Sequence, residues 1–169
     1  PSKSRGLGDV YKRQVMDGEF ICEEFAYQTK AIGGGNFLIL GKTIDALLKA
    51  SEKAVSEINK IKNVILPFPG GIVRSGSKVG SKYKNLIAST NFEYCPTLRG
   101  IVNSKLDHTS NFVLEIVIDG LTESDIISAM RAGIRSVINS DNQNINSISA
   151  GNYGGKLGPY LFWLKKIMS

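Results

Sequence analysis

A short apolar run at residues 36–40 (NFLIL) predicts a buried central strand. Glycines flank it at residues 33–35 and at Gly41, and so short an apolar run between glycines is typical of a strand covered on both faces. Residues 44–61 then carry apolar side chains at helical spacing, with lysine and glutamate on the opposite face and Thr43 as a candidate N-cap. We therefore expect a strand followed by an amphipathic helix.

Two further strands and a second helix are predicted along the chain. Residues 63–66 (NVIL) predict a strand that Pro67 ends, and residues 111–119 (NFVLEIVID) give the clearest strand pattern in the chain. Thr122 and Asp125 resemble a capping box at the start of a second helix. The predicted apolar face of that helix consists of Ile126, Ile127, Met130, Ile134, Val137 and Ile138.

These elements predict an α+β fold, a ferredoxin-like βαββαβ sandwich in which two helices cover one face of a mixed sheet. Residues 145–150 and 160–167 are predicted as strands, and the strands at both ends of the chain extend the basic fold. Residues 87–91 are a candidate short strand, whereas residues 92–110 show no clear pattern. Because this architecture carries unrelated activities, the fold alone does not indicate a function.

Composition limits the class of protein. The chain has 169 residues, of which 42% are hydrophobic and 21% charged, values typical of one globular domain. No apolar run approaches the roughly 18 to 20 residues that a membrane span needs, and no signal peptide pattern is present. The isolated Cys22 and Cys95, together with a single histidine, do not have the spacing of a zinc site. We expect a cytoplasmic protein with reduced thiols, without metal and without contact to a membrane.

Residues 1–14 (PSKSRGLGDVYKRQ) require separate treatment. Their composition predicts a disordered arm, but residues 9–14 also back-translate to GAT GTG TAT AAG AGA CAG, which resembles the adaptor end of transposase-based sequencing libraries. We therefore predict that residues 1–14 are not native and that an upstream part of the protein is missing. This segment contributes +3 of the formal net charge of +6, so the charge is weak evidence for nucleic-acid binding.

Clustered glycines suggest a ligand site. Eleven of the 18 glycines fall at 33–35, 70–80 and 151–158, each beside a predicted strand end, where glycine lets backbone N–H groups approach an anion. The connection at 67–86 also carries Arg74, Ser81 and several further hydroxyl and basic side chains, without the order of a Walker A loop. Tight turns and a solvated basic loop are the alternative readings. Candidate substrate-binding residues are Gly34, Gly35, Asn36, Gly70, Gly71, Ser75, Gly76, Ser77, Lys78, Lys82, Lys84, Asn152, Tyr153 and Lys156.

Glu115 is the sharpest single candidate. Alternation along residues 111–119 assigns Glu115 to the same face as Val113 and Val117. A carboxyl between valines in a central strand should be partly desolvated, which raises its pKa and makes it a credible general acid. The alternative is a wet sheet face. His108 is expected at the surface, and Trp163 in the core or at a subunit interface.

Six strings in series resemble one family. They are GGGNFLILG (33–41), PFPGGIVRSGSKVGSKYK (67–84), ASTN (88–91), EIVIDG (115–120), AGIR (132–135) and AGNYGGKLG (150–158). In order and spacing they are similar to formylmethanofuran:tetrahydromethanopterin formyltransferase. Members of that family are about twice as long and contain two ferredoxin-like lobes, so residues 15–169 resemble the second, C-terminal lobe.

The resemblance implies an enzyme of cytoplasmic one-carbon metabolism, in methanogenesis or in formaldehyde oxidation. It would transfer a formyl group reversibly from formylmethanofuran to N5 of tetrahydromethanopterin, without a metal or prosthetic group. The family's catalytic glutamate corresponds to Glu115, and Lys78, Lys82, Lys84 and Lys156 become plausible tethers for anionic carriers. Homo-oligomers, commonly tetramers, are expected. Pro159 and the apolar tail LFWLKKIMS depart from the family's more polar ending.

Two alternatives remain open at this point. The chain could be the formyltransferase subunit of a complex that hydrolyses the formyl group, or a non-catalytic ferredoxin-like module that binds an anionic cofactor. RNA binding is disfavoured, because recognition on such a sheet needs exposed aromatic residues among basic ones. The central strand instead offers Phe112 beside Glu115, Ile116 and Val117.

Overall fold

The protein is described by a computed structural model covering residues 10–23, 28–74, 84, 91–140, 143–151 and 158–169. The chain divides into two compact units, residues 1–30 and 31–169. In the first unit, strands β1 (Val10–Val15) and β2 (Gly18–Glu23) form an antiparallel hairpin. The disorder expected from composition is therefore wrong for residues 10–14, because backbone pairing with β2 orders them. The non-native origin of residues 1–14 stays a prediction.

The second unit is built around an antiparallel sheet. Its strands are β3 (Ile32–Gly41), β4 (Val64–Ile65), β5 (Val73–Arg74), β6 (Phe112–Gly120) and β7 (Ile145–Ser149). They follow the order β4-β6-β3-β7, and β5 also pairs with β6. Every pairing among these strands is antiparallel, so the expected mixed sheet is wrong. The two strands that each long helix connects are not neighbours in the sheet. A third strand lies between them and runs antiparallel to both.

Two long helices cover one face of the sheet. They are α1 (Ile44–Ile58) and α2 (Glu123–Ile138), and a short α3 (Leu164–Met168) lies near the end of the chain. Their buried side chains share one core with Phe37 and Ile39 of β3 and with alternate residues of β6. Gly133 permits close packing of α2, because a Cβ there would lie 2.8 Å from Ile58 Cδ1 and 2.9 Å from Phe37 Cζ. None of the described helices is long and apolar enough to cross a membrane.

The two predicted N-cap residues differ in the hydrogen bonds that their side chains make. Thr122 accepts a hydrogen bond from the Asp125 N–H, and the Asp125 side chain accepts one from the Thr122 N–H, so the capping box is confirmed. Thr43 takes the N-cap position of α1 but makes no side-chain capping bond. Helix α1 ends at Ile58, three residues earlier than predicted, since the chain must turn through Asn63, at a positive φ of 64°, to enter β4.

The end of the chain differs from its predicted form. Residues 160–167 were expected to form a strand, but Leu164–Met168 is helical. Leu164, Ile167 and Met168 recur at helical spacing and pack against the core, so burial favours a helical turn over alternation. Trp163 is half exposed rather than in the core.

A second, smaller cluster lies on the sheet face opposite the helices. Leu38, Leu40 and Val113 are buried there, with Tyr94 and Leu106 packed against them. The covering segment, residues 91–110, contains two 3₁₀ turns, Phe92–Tyr94 and Pro96–Leu98. The part of the sequence without a clear pattern therefore covers the sheet, and it encloses the face that holds Glu115.

Candidate active site

Glu115 lies in the middle of β6, on the sheet face opposite the helices. Its neighbours Leu114 and Ile116 belong to the helix-side core, so alternation directs Glu115 to the other face. There it pairs in register with Leu38 of β3 and with Val73 of β5. Only 5% of its surface is exposed. The predicted desolvated carboxyl is confirmed, and the wet alternative is wrong.

Two amide side chains bind the same oxygen of Glu115. Asn36 donates from Nδ2 to Glu115 Oε1 at 2.6 Å, and Asn91 donates from Nδ2 to that oxygen at 3.0 Å. All three side chains are buried. Asn36 comes from β3, whereas Asn91 comes from the covering segment, where it adopts a positive φ of 45°. Asparagine tolerates that conformation better than most residues do.

Gly151 completes this arrangement. Its backbone N–H donates to Asn36 Oδ1 at 3.1 Å. A Cβ on residue 151 would lie 2.3 Å from Asn91 Oδ1 and 3.0 Å from Asn36 Nδ2, so only glycine fits without displacing the amides. We refer to Asn36, Asn91 and Gly151 together as the amide clamp.

Burial raises the pKa of Glu115 above its ordinary value of 4.5, and the hydrogen bonds from Asn36 and Asn91 act in the opposite direction. Desolvation is the larger effect because it penalises the charged carboxylate, while the amides favour that charged form. Both amides are neutral, so they cannot compensate a buried charge as a cation would. Burial therefore favours the neutral carboxyl, the form that can donate a proton.

The predicted substrate-binding residues fall into three groups: one that contacts Glu115, several that lie elsewhere in the structure, and several outside the described residues. Asn36 is the residue that contacts Glu115. Gly34 and Gly35 have other contacts: the Gly34 N–H donates to Asp119 Oδ1 at 2.8 Å, and a Cβ on Gly35 would lie 2.4 Å from Ile126 of α2, on the helix side. Gly70 and Gly71 form a turn at positive φ. Lys84 is exposed. Outside the described residues lie Ser75, Gly76, Ser77, Lys78, Lys82, Asn152, Tyr153 and Lys156.

Sequence reasoning missed the roles of Asn91 and Gly151. Both lie inside strings already singled out, ASTN (88–91) and AGNYGGKLG (150–158), and Asn36 lies in GGGNFLILG. Val73, from the proline- and glycine-rich string at 67–84, pairs with Glu115 along the backbone. Five of the six strings therefore meet around one carboxyl. The sixth, AGIR, supplies Gly133 to the helix packing.

The histidine, the cysteines and the possible metal ligands were also considered as functional groups. His108 is exposed, as expected. Cys22 is exposed and Cys95 is buried, and neither belongs to a disulfide. Within the same part of the chain, no group of three or more histidine, cysteine, aspartate or glutamate side chains could hold a metal ion.

Comparison with known proteins identifies the family. The family model described as "FTR, proximal lobe" matches residues 18–167. The chain belongs to this family. A formylmethanofuran–tetrahydromethanopterin formyltransferase from Methylococcus capsulatus is 54% identical to this FTR proximal lobe over 99% of the chain and 57% of its own length. The resemblance inferred from the six strings is confirmed.

Two solved structures are similar to this chain in fold. The FTR proximal lobe matches the formylmethanofuran:tetrahydromethanopterin formyltransferase from Methanosarcina barkeri with a TM-score of 0.76 and 44% identity, over 95% of this chain and 54% of that one. It also matches a chain in the crystal structure of the formyltransferase/hydrolase complex from Methylorubrum extorquens with methylofuran, at the same TM-score and identity and over 53% of that chain. The chain spans about half the length of the relatives it matches.

Proposed function

We propose that this FTR lobe carries the proton donor of a formyltransferase that moves a formyl group reversibly from formylmethanofuran to N5 of tetrahydromethanopterin. The observation that carries the proposal is the buried Glu115 carboxyl, held by Asn36 and Asn91 at the meeting point of the family's strings. The family membership and the names of the relatives supply the reaction class.

The exchange needs one proton to move between two nitrogens. The pterin N5 attacks the formamide carbon, a tetrahedral oxyanion forms, and the carbon–nitrogen bond to methanofuran breaks. N5 loses a proton, and the methanofuran amine must gain one in order to leave. Glu115 donates its proton to the departing nitrogen and regains one as N5 is deprotonated, so it ends the cycle neutral. The formyl carbon keeps its oxidation state, so this chemistry requires a proton donor and not a redox group.

We assign the lobe to the ferredoxin-like class. The support is the order β4-β6-β3-β7 with two strand–helix–strand units and both long helices on one face. We further propose that residues 15–169 are the second, C-terminal lobe of a two-lobed protein and that residues 1–14 lie outside it. The family match over residues 18–167 and the coverage of about half of each relative support the assignment to one lobe.

The carrier contacts and the assembly are also proposals. Arg74 is exposed and follows Val73, the residue paired with Glu115, which favours the basic segment at 74–84 as a tether for carboxylate or phosphate groups. Lys156 and the neighbouring glycine string are assigned the same role. A cytoplasmic homotetramer is the expected assembly.

A second candidate function has one specific observation in its favour. The chain of similar fold from Methylorubrum extorquens belongs to a formyltransferase/hydrolase complex, and a relative from that organism is named as one of the subunits of such a complex. The present lobe could therefore act as a transferase subunit whose product is hydrolysed by a partner.

The direct test is formation of 5-formyl-tetrahydromethanopterin from the two carriers. The protein assayed joins this lobe to the first lobe of its own gene, and the product is quantified by chromatography. Product formation supports the transferase. A folded two-lobed protein that binds the carriers but forms no product contradicts it and favours the non-catalytic module, while activity that appears only after adding hydrolase subunits supports the second candidate.

A further inference from the structure

Two separate parts of the chain supply donors to one oxygen of Glu115, and a third part holds one of these donors in place. β3 supplies Asn36, the covering segment supplies Asn91, and the residue two positions after β7 supplies the Gly151 N–H that holds Asn36. Each of these three parts could have placed an apolar residue against the carboxyl instead. The convergence of two amide donors on Oε1 sets which oxygen can carry the proton.

A carboxyl oxygen has two lone pairs in the plane of the group. On Oε1, two N–H donors at 2.6 and 3.0 Å occupy both of them. A proton on Oε1 would direct an O–H donor toward N–H donors, since a primary amide nitrogen has no lone pair available to accept. In the neutral acid, Oε1 is therefore the carbonyl oxygen, and the acidic hydrogen resides on Oε2.

The orientation of Asn36 follows from its other contact. Its Oδ1 accepts the Gly151 N–H at 3.1 Å. Rotating the amide by 180° would bring Nδ2 against that N–H and Oδ1 against Glu115 Oε1, which replaces two hydrogen bonds with two repulsive contacts. The backbone of Gly151 thus determines that Asn36 presents a donor to Glu115.

We propose that Asn36 and Asn91 are positioning residues for the reaction, and that the amide clamp fixes the transferable proton of Glu115 on Oε2. This proposal deepens the proposed formyltransferase function and rests on it for its catalytic meaning. Asn36, which sequence reasoning placed among substrate-binding residues, acts instead through Glu115. A proton kept on one oxygen is presented from one direction, which matters when it must reach a departing nitrogen at hydrogen-bond distance.

The amide clamp also partly offsets the effect of burial on the pKa of Glu115. Because amide donors favour the ionised carboxylate, they let Glu115 release a proton that burial alone would hold. Loss of either donor should therefore make Glu115 a weaker acid and move the alkaline decline of the rate to higher pH.

The test reads the carboxyl directly by difference infrared spectroscopy of the two-lobed protein. The C=O band of protonated Glu115 is assigned as the band lost in Glu115→Gln. Asn36→Leu removes one donor at similar volume, and Asn91→Gly removes the other while accepting the positive φ. In both variants we expect the band to move to higher wavenumber and to titrate at higher pH, because its oxygen accepts one hydrogen bond fewer.

Matched controls use the same substitutions away from Glu115. Asn146→Leu removes an amide that donates to Thr109 and Ser110, and Asn63→Gly alters the second asparagine at positive φ in the described part of the chain. The Glu115 band should stay in place in both controls. A band that is unmoved in folded Asn36→Leu and Asn91→Gly overturns the clamp, as does an equal movement in the controls.

This readout needs no substrate, so the two proposals can fail separately. Band movement in a protein that forms no 5-formyl product contradicts the transferase and leaves the proton placement standing. Product formation with an immobile band contradicts the clamp alone. In an active protein, the pH profile of kcat should move with the band in the Asn36 and Asn91 variants.

Discussion

The pKa of Glu115 is raised by burial and not by a neighbouring negative charge. Desolvation raises its pKa, and the two side chains that hydrogen-bond to it are neutral amides that act against the rise. A carboxyl of this kind differs from one in an acidic dyad, where like charges force one proton to stay. Its acidity should respond mainly to changes in hydrogen bonding and in access of water.

The raised pKa of Glu115 makes stability depend on pH. Between the unfolded value, near 4.5, and the higher folded value, the native state binds more protons than the unfolded state does. Its contribution is therefore fully present below pH 4.5 and is lost as pH rises through the folded pKa. Relative to wild type, Glu115→Gln should gain stability as pH rises through this window, measured as the free energy of unfolding in denaturant.

Asp107 should make stability depend on pH in the opposite direction, and it serves as the internal control. Hydrogen bonds from Ser110 and Thr109 lower its pKa, so its contribution is present above the unfolded value and is lost as pH falls. Asp107→Asn should therefore lower stability above the unfolded value, and its difference from wild type should shrink as pH falls. Identical pH dependence in wild type and Glu115→Gln would contradict a raised pKa for Glu115.

At the residue scale, alternation singled out Glu115 but left open whether its sheet face was covered or wet. The pattern of residues 111–119 assigned it to a face with two valines, and the carboxyl is buried there. Asn91 could not be found in this way, because 24 residues separate it from Glu115 and its contact exists only once the covering segment folds over the sheet. The structural need for Gly151 likewise depends on side chains from two distant segments.

At the element scale, the two long helices begin with the same residue type but with different capping. Thr122 makes a reciprocal capping box with Asp125, whereas Thr43 makes no side-chain capping bond. Thr122→Ala should lower the free energy of unfolding by about 0.5–2 kcal/mol. Thr43→Ala should cost clearly less. Thermal unfolding of the two variants measures the difference, and equal losses would contradict the assignment.

Strands and helices with strong periodicity were predictable, and the end of the chain was not. β3, β6, α1 and α2 each follow from an apolar pattern that burial imposes, on both faces of the two strands and on one face of each helix. Residues 160–167 carry apolar side chains at most positions, so period alone could not separate strand from helix. Contacts with α2 decide the outcome, including a hydrogen bond from Arg131 Nε to the Ile167 carbonyl at 2.6 Å.

At the scale of the whole molecule, the lobe should be structurally sound but catalytically incomplete. It matches about half of each relative, and its site is built on one face of one sheet. We expect residues 15–169 alone to fold, by circular dichroism, yet to transfer formyl groups at least about 10²-fold more slowly than the two-lobed protein. Full activity of the isolated lobe would contradict the need for a second lobe.

The most direct measurement is the rate of formyl transfer from formylmethanofuran to tetrahydromethanopterin by the two-lobed protein with Glu115 and with Glu115→Gln. Glutamine keeps an oxygen for the Asn36 and Asn91 donors and an N–H where the acid has its O–H, but it cannot release a proton. The variant should therefore fold normally and lose about 10²-fold or more in kcat, the scale of general acid catalysis. A turnover equal to that of wild type would contradict the role of Glu115 as proton donor.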